Sequence, residues 1–203
     1  MVEALHHCDS TTQTTAARRH MKKCGQLTDG VITLRPYRVT DIDSVYEAVC
    51  ESITELSVWM SWCHPDYSIE ETKTWIESQP DKCKKGIEYN FAISCNPGPS
   101  YLGGCGLNVI DRDCGVANLG YWVRTSWTNR GIATSATLLL AQFAFNELNL
   151  NRVELTVAVD NQASLRVAEK AGATREGILR NRVIKKHTPS DAVVFSFIPP
   201  DLG

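Results

Sequence analysis

From residue 31 onward the spacing of apolar residues changes repeatedly between a strand-like and a helix-like period, and those changes divide the chain into elements. Val31-Ile32-Thr33-Leu34-Arg35-Pro36 reads as a first strand that Pro36 ends, and Thr40 or Asp41 then caps a helix running to about Cys50, with Val45, Ala48 and Val49 on its apolar face. A further apolar run, Ile53 to Trp62, carries Leu56, Val58, Trp59, Met60 and Trp62 before His64-Pro65 stops it. Ser68-Ile69-Glu70-Glu71 has capping-box spacing and opens a helix to about Lys85. The period then shortens. Strands are predicted over Ile87 to Cys95, Tyr101 to Ile110 and Val116 to Arg124, joined by turns at Asn96-Pro97-Gly98-Pro99 and Asp111-Arg112-Asp113, which makes an antiparallel meander. A long helix follows from about Asn129 to Leu148, with Ile132, Ala136, Leu139, Leu140, Phe143 and Ala144 on one face. Next come a strand from Arg152 to Val159, a helix from about Gln162 to Ala171, and strands near Thr174 to Ile184 and Ala192 to Ile198. The order is β-α-α-β-β-β-α-β-α-β-β, which by periodicity alone is α+β or α/β.

Residues 1–28 lack this periodicity. They are rich in Ser, Thr, Gln, His and Lys/Arg, so they have too little apolar surface to offset the entropy of ordering, and a flexible N-terminal tail is expected there. The remaining 29–203 is of a size for one domain. With 21 Lys+Arg against 23 Asp+Glu the net charge is -2, which provides no basic field for nucleic acid. No apolar run approaches the roughly 20 residues that cross a bilayer, and there is no signal-peptide core, so the expectation is a cytoplasmic protein without membrane attachment. The eight cysteines include no C-x-x-C pair, and Cys63-His64 are adjacent, which points their side chains apart; reduced thiols and no metal site are expected.

Two clusters carry the chemistry. In Tyr121-Trp122-Val123-Arg124-Thr125-Ser126-Trp127-Thr128-Asn129-Arg130-Gly131-Ile132-Ala133-Thr134 a strand breaks into a glycine-bearing turn that opens the long helix. The first-turn N–H groups of a helix have no internal partners, and the positive end of its dipole adds to them, so this start can hold a diphosphate; Gly131 allows close backbone approach and Arg130 supplies charge. The second cluster runs from Val157 through Asp160-Asn161-Gln162-Ala163-Ser164 to Glu169-Lys170-Ala171-Gly172, followed by Glu176-Gly177. Read plainly, Asp160-Asn161 is a helix N-cap and Gly172 a left-handed helix end, with Lys170 on the surface. Gly103-Gly104-Cys105-Gly106 lacks both the G-x-G-x-x-G spacing and a Walker lysine, and is read as a bulge or a closely packed strand.

Together the two clusters resemble the acetyl-CoA-binding half of the GNAT acetyltransferase superfamily, in its branch of ribosomal-protein N-terminal acetyltransferases. The resemblance spans about residues 31 to 198. It implies a mixed α/β (α+β) fold in which a central, mostly antiparallel seven-stranded sheet, flanked by helices, has a splayed parallel strand pair in its middle. It also implies acetyl-CoA as cosubstrate. Main-chain groups near Val123 would hold the pantetheine arm, and Thr128, Asn129, Arg130, Gly131, Ile132, Ala133 and Thr134 would cradle the diphosphate. Family members usually carry Gln or Arg three residues before the glycine, where this chain has Thr128. Asn161 would bind the arm, and Ser164 would lie near the thioester sulfur as the catalytic hydroxyl. By the same resemblance Trp59 to Trp62 flank the acceptor cleft.

The resemblance also exposes a gap. Related enzymes use a glutamate on the fifth strand or after the E-G pair; here those positions are Thr156 and Val183, and Ala168 stands where some relatives have a tyrosine acid. His187, between the last two strands, is a minor candidate base. A site so equipped suits an amine that is already partly neutral, so the expected acceptor is a protein or peptide N-terminal α-amine. A small-molecule amine and a catalytically silent acetyl-CoA-binding module are the alternatives, and a monomer and a homodimer are both compatible with the sequence.

Overall fold

The computed structural model of the chain describes residues 25–95, 101–186 and 188–202. The expected tail, apart from its last four residues, the turn at Asn96 to Pro99, and His187 lie outside the described residues. The elements are β1 (Leu27–Thr28), β2 (Ile32–Pro36), α1 (Ile42–Trp59), α2 (Ile69–Lys85), β3 (Tyr89–Cys95), β4 (Gly103–Asp111), β5 (Val116–Val123), α3 (Ile132–Asn146), β6 (Arg152–Ala158), α4 (Gln162–Lys170), β7 (Thr174–Lys185) and β8 (Thr188–Phe197). They form a mixed α/β fold on an eight-stranded sheet of order β1-β2-β3-β4-β5-β6-β8-β7. The eighth strand is the short β1, whose Leu27 and Thr28 pair with Leu34 and Thr33.

Two expectations are corrected. Residues 42–59 form one helix rather than two segments, because Glu51 and Ser52 continue the turn without a Gly or Pro, and Val45, Ala48, Val49, Ser52 and Leu56 make one buried stripe. Asp41 precedes this helix, but its carboxylate is drawn away from the first turn: it accepts from Arg38 N at 2.8 Å and pairs with Arg35 at 2.7 and 2.8 Å. The thiol expectation also changes. Cys50, Cys63, Cys105 and Cys114 are free, whereas Cys83 is disulfide-bonded, because proximity in the fold decides pairing and spacing does not reveal it.

Other boundaries follow local chemistry. At α2, Ser68 N donates to Glu71 Oε2 at 2.8 Å, the expected capping box, and Gly86 closes the helix in the left-handed conformation. Alternation along β3 sends Phe91 and Ile93 to one face and Ala92 to the other. The first face packs against α3 through Ala136, Leu140, Phe143 and Ala144, and against Ala168 of α4. The second packs against Val45, Val49 and Leu56 of α1 and Ile76 of α2. The sheet thus has helices on both sides, and its middle strands separate two core layers.

Candidate active site

Among the described residues only β5 and β6 run parallel, and they pair over three positions: Val116 with Arg152, Ala117 with Val153, and Asn118 with Glu154. Beyond Asn118 they part, β5 continuing to Val123 on β4 and β6 to Ala158 on β8. This splay is the one the resemblance implies. Among the described residues it leaves the facing edges of 119–123 and 155–158 without a neighbouring strand, so their main-chain groups are placed to receive an extended, amide-bearing ligand arm.

The far end of β5 is held firmly. Arg124 N donates to Leu102 O at 2.8 Å, and the Arg124 guanidinium reaches down to α1, bonding Glu51 Oε2 through Nε at 2.9 Å and Glu47 Oε1 through Nη2 at 3.1 Å. In the 3₁₀ turn that follows, Thr125 N donates to Ser52 Oγ at 3.0 Å and Ser126 N to Glu51 Oε1 at 2.9 Å. The Arg124 side-chain bond, reinforced by that from Ser126, holds the Glu51 carboxyl at about 2. Sequence reasoning assigned Glu51 no role, because its partners lie more than seventy residues away.

Next in the turn, Asn129 and Gly131 are both left-handed, with φ of 60° and 78°. Gly131 is the residue before α3, and no side chain caps that helix. The first-turn N–H groups of Ile132, Ala133 and Thr134 are therefore open to an anion, and a Cβ at Gly131 would meet no atom within 4 Å, so the space beside them is clear. Arg130 stacks on Trp127, its guanidinium carbon 4.3 Å from the ring centroid, and donates to Ser126 O at 3.3 Å. Thr128 uses its hydroxyl within the turn, donating to Thr125 O at 2.9 Å. The N-terminus of α4 contrasts with that of α3. Asn161 Oδ1 accepts from Ser164 N at 3.1 Å, the plain N-cap, which leaves Nδ2 as the donor it can offer a ligand. Ser164 is half-buried, and its carbonyl accepts from Tyr121 Oη at 3.4 Å across the splay. A thioester-linked diphosphate fits these residues, with an anion site at Gly131 and a polar end at Asn161 and Ser164.

On the other face of the sheet a cleft of about 440 Å³ opens between α1, α2 and the strands. Its floor carries Gly104, Gly106 and Gly120, so the space exists because side chains are missing; a Cβ at Gly106 would stand 1.9 Å from Asn90 Oδ1. The glycine run is thus a closely packed strand, and the irregularity of β4 falls later, between Asn108 and Asp111. Tyr37, Trp62, Tyr67, Trp75, Tyr101 and Trp122 supply the aromatic walls, while Tyr121, whose ring packs with the α3-side core, borders the cleft from β5. Trp62 lies in the cleft, whereas the Trp59 ring carries Lys185 Nζ 4.7 Å from its centroid. The cleft's two carboxylates are occupied. Glu71 bonds Ser68 and His64 Nε2, the latter at 2.8 Å, which holds it below the usual range, and Glu88 bonds Lys82 and Asn90 at 3.1 and 2.9 Å. Thr156 is half-buried on β6 and Val183 lies on β7, so neither of the positions that the resemblance marks for a base carries a carboxylate. Among the described residues no group of three His, Cys, Asp or Glu is arranged to hold a metal ion.

Residues 32–174 match the family described as an acetyltransferase (GNAT) domain. The chain is 31% identical over 173 residues to the probable N-acetyltransferase YjcK of Bacillus subtilis, covering 84% of this chain and 95% of that one. It is 25% identical over 139 residues to the ribosomal-protein-serine acetyltransferase of Escherichia coli, covering 68% and 76%. Among solved structures, the ribosomal L7/L12 alpha-N-protein acetyltransferase RimL in complex with coenzyme A superimposes with a TM-score of 0.77 at 22% identity, covering 85% of this chain and 96% of that one.

Proposed function

This chain belongs to the GNAT acetyltransferase family, and from that premise we propose that it is an acetyl-CoA-dependent N-acetyltransferase whose acceptor is the α-amine of a protein or peptide N-terminus. The observation that carries the reading is the junction of two spaces at one point. The splay between β5 and β6, with the uncapped start of α3 beside it, meets the aromatic cleft at Tyr121. Acetyl-CoA, when bound, supplies an acetyl group activated as a thioester. The N–H groups of Ile132, Ala133 and Thr134 hold its diphosphate, with Arg130 adding charge and Thr128, Asn129 and Gly131 shaping the turn. Main-chain groups near Val123 hold the pantetheine arm, and a backbone N–H there polarises the carbonyl. Asn161 donates to the arm, and the Ser164 hydroxyl hydrogen-bonds the sulfur.

The choice of acceptor rests on what the cleft lacks. Both of its carboxylates already have partners, so the amine must arrive close to neutral, and proximity supplies much of the rate while water removes the proton. An α-amine titrates near ~7.7 to 8.0, so on the order of a tenth is neutral at pH 7, against well under one in a hundred for lysine at ~10.4. Two of the similar proteins are, by their names, acetyltransferases of ribosomal proteins, and one of these acts at an α-nitrogen. Calorimetry with acetyl-CoA, followed by thiol-release and mass-spectrometric assays, tests the proposal on peptides with free N-termini, N-terminally blocked lysine peptides and small amines. Faster turnover of the free N-termini is expected. Faster turnover of blocked lysine peptides or small amines overturns the acceptor, and binding without turnover on any amine overturns the enzyme in favour of a silent binding module.

A further inference from the structure

Tyr121 links the two spaces. It borders the acceptor cleft from β5, while its ring packs on the α3 side of the sheet, where its hydroxyl bonds the carbonyl of Ser164 on α4. Ser164 and Ala168 are four residues apart on one face of that helix, so the phenol reaches the face from which some relatives present a tyrosine. The alanine at 168 is fully buried and provides no acid. We infer that Tyr121, approaching from the strand rather than the helix, is the proton donor to the departing thiolate; this rests on the acetyl-CoA-dependent reading above.

The step balances as follows. The amine lone pair forms the C–N bond, the C–S bond breaks with its electron pair on sulfur, and the sulfur takes the proton of Tyr121 Oη. Water accepts the proton released by the nitrogen and returns one to the tyrosinate. Three features make Tyr121 an acid rather than a base. Burial pushes its phenol up, so it is protonated at neutral pH, and the lone pairs of the Ser164 carbonyl accept its proton rather than supply one. At 3.4 Å that bond is long for O–H···O, so the donor can turn to a stronger acceptor. The third feature is relative acidity: even when raised by burial, a phenol is a far stronger acid than the aliphatic hydroxyl of Ser164, which serves as a hydrogen-bond donor. Cys105, the cross-strand partner of Tyr121, is a thiol that burial keeps neutral and so adds no charge to the exchange.

The test compares wild type with Tyr121→Phe, using coenzyme A and its desulfo analogue as probes. The ultraviolet thiolate absorbance of bound coenzyme A is titrated in each protein. If Tyr121 donates to sulfur, the bound thiol titrates about one pH unit lower in wild type than in the variant, the shift expected from one hydrogen bond to a charged group. Calorimetry with desulfo-CoA, which lacks the sulfur, is expected to give equal affinities, and kcat on an accepted N-terminal peptide is expected to fall on the order of 100-fold. Equal thiol titrations, or an equal loss of affinity for coenzyme A and its desulfo analogue, would assign Tyr121 a packing role and overturn the inference. A wild-type protein that binds neither probe would remove the parent reading itself, an outcome distinct from the other two.

Discussion

Gly131 illustrates how one residue can be required for its backbone alone. A side chain there would meet nothing within 4 Å, yet φ is +78°, a conformation that costs an L-residue about 1–2 kcal/mol. Gly106 has an ordinary φ, but a methyl group there would stand 1.9 Å from Asn90 Oδ1, and Asn90 is held by Gln79 and Glu88. The two glycines therefore shape the turn before α3 and the cleft by different means. Replacing Gly131 by Ala is expected to lower stability by that 1–2 kcal/mol and, by reorienting the N–H groups of Ile132 to Thr134, to weaken acetyl-CoA binding about tenfold. Thermal melts and calorimetry on the Gly131→Ala variant check this, and unchanged affinity would remove the anion site from the turn.

Among the elements, α1 determines where that turn sits. Being one 18-residue helix, it presents Glu47, Glu51, Ser52 and Glu55 in register, and these bond Arg124, Thr125 and Ser126 between the splay and the turn before α3. Two separate segments could not keep that register. Glu51→Gln is expected to raise the Kd for acetyl-CoA roughly three- to tenfold, within the range for a weakened charge-assisted contact, with little change in KM for the amine. The pH dependence follows from the direction of the shift. Bonds to Arg124 and Ser126 depress the folded pKa of Glu51 to about 2 from 4.5, so its stabilisation is fully present above 4.5 and is lost as pH falls toward 2. Glu176, bonded to Arg152 and Ser196, is likewise held at about 2. A melting temperature that falls across this window in wild type, and falls less in a Glu51→Gln, Glu176→Gln variant, is the expected result.

Across the whole molecule, apart from the two-residue edge strand β1, the sheet is at its least paired where the ligand would enter. β5 and β6 share three paired positions, while β4 and β5 share seven and β6 and β8 six. A ligand arm bridging the gap would tie the two halves of the sheet, and any ligand that binds only the folded state stabilises it by mass action. Coenzyme A at about one hundred times its Kd is expected to add about 2.7 kcal/mol, which for a chain of this length raises Tm by roughly 5–11 °C. Scanning calorimetry with and without coenzyme A measures this, and an unchanged Tm would mean that the splay does not receive it. No described helix is long and apolar enough to cross a membrane.

Much of this was legible in the chain itself, because helix and strand periods, the Ser68–Glu71 box and the turn at Gly131 are encoded by neighbours in sequence. Those local signals set the order of elements and the two motif clusters, and the resemblance those clusters carry marked Thr156 and Val183 as positions without a carboxylate. They could not reveal that residues 42–59 form one helix, since that depends on a buried stripe with a surface to pack against. Nor could they assign roles to Tyr121 and Glu51, whose partners Ser164 and Arg124 lie 43 and 73 residues away. Tertiary structure alone decided those pairings, because a hydrogen bond across the splay or from helix to strand exists only once the sheet has brought distant segments together. Sequence thus determined which chemical groups are present and which local conformations they take; folding determined which of them meet.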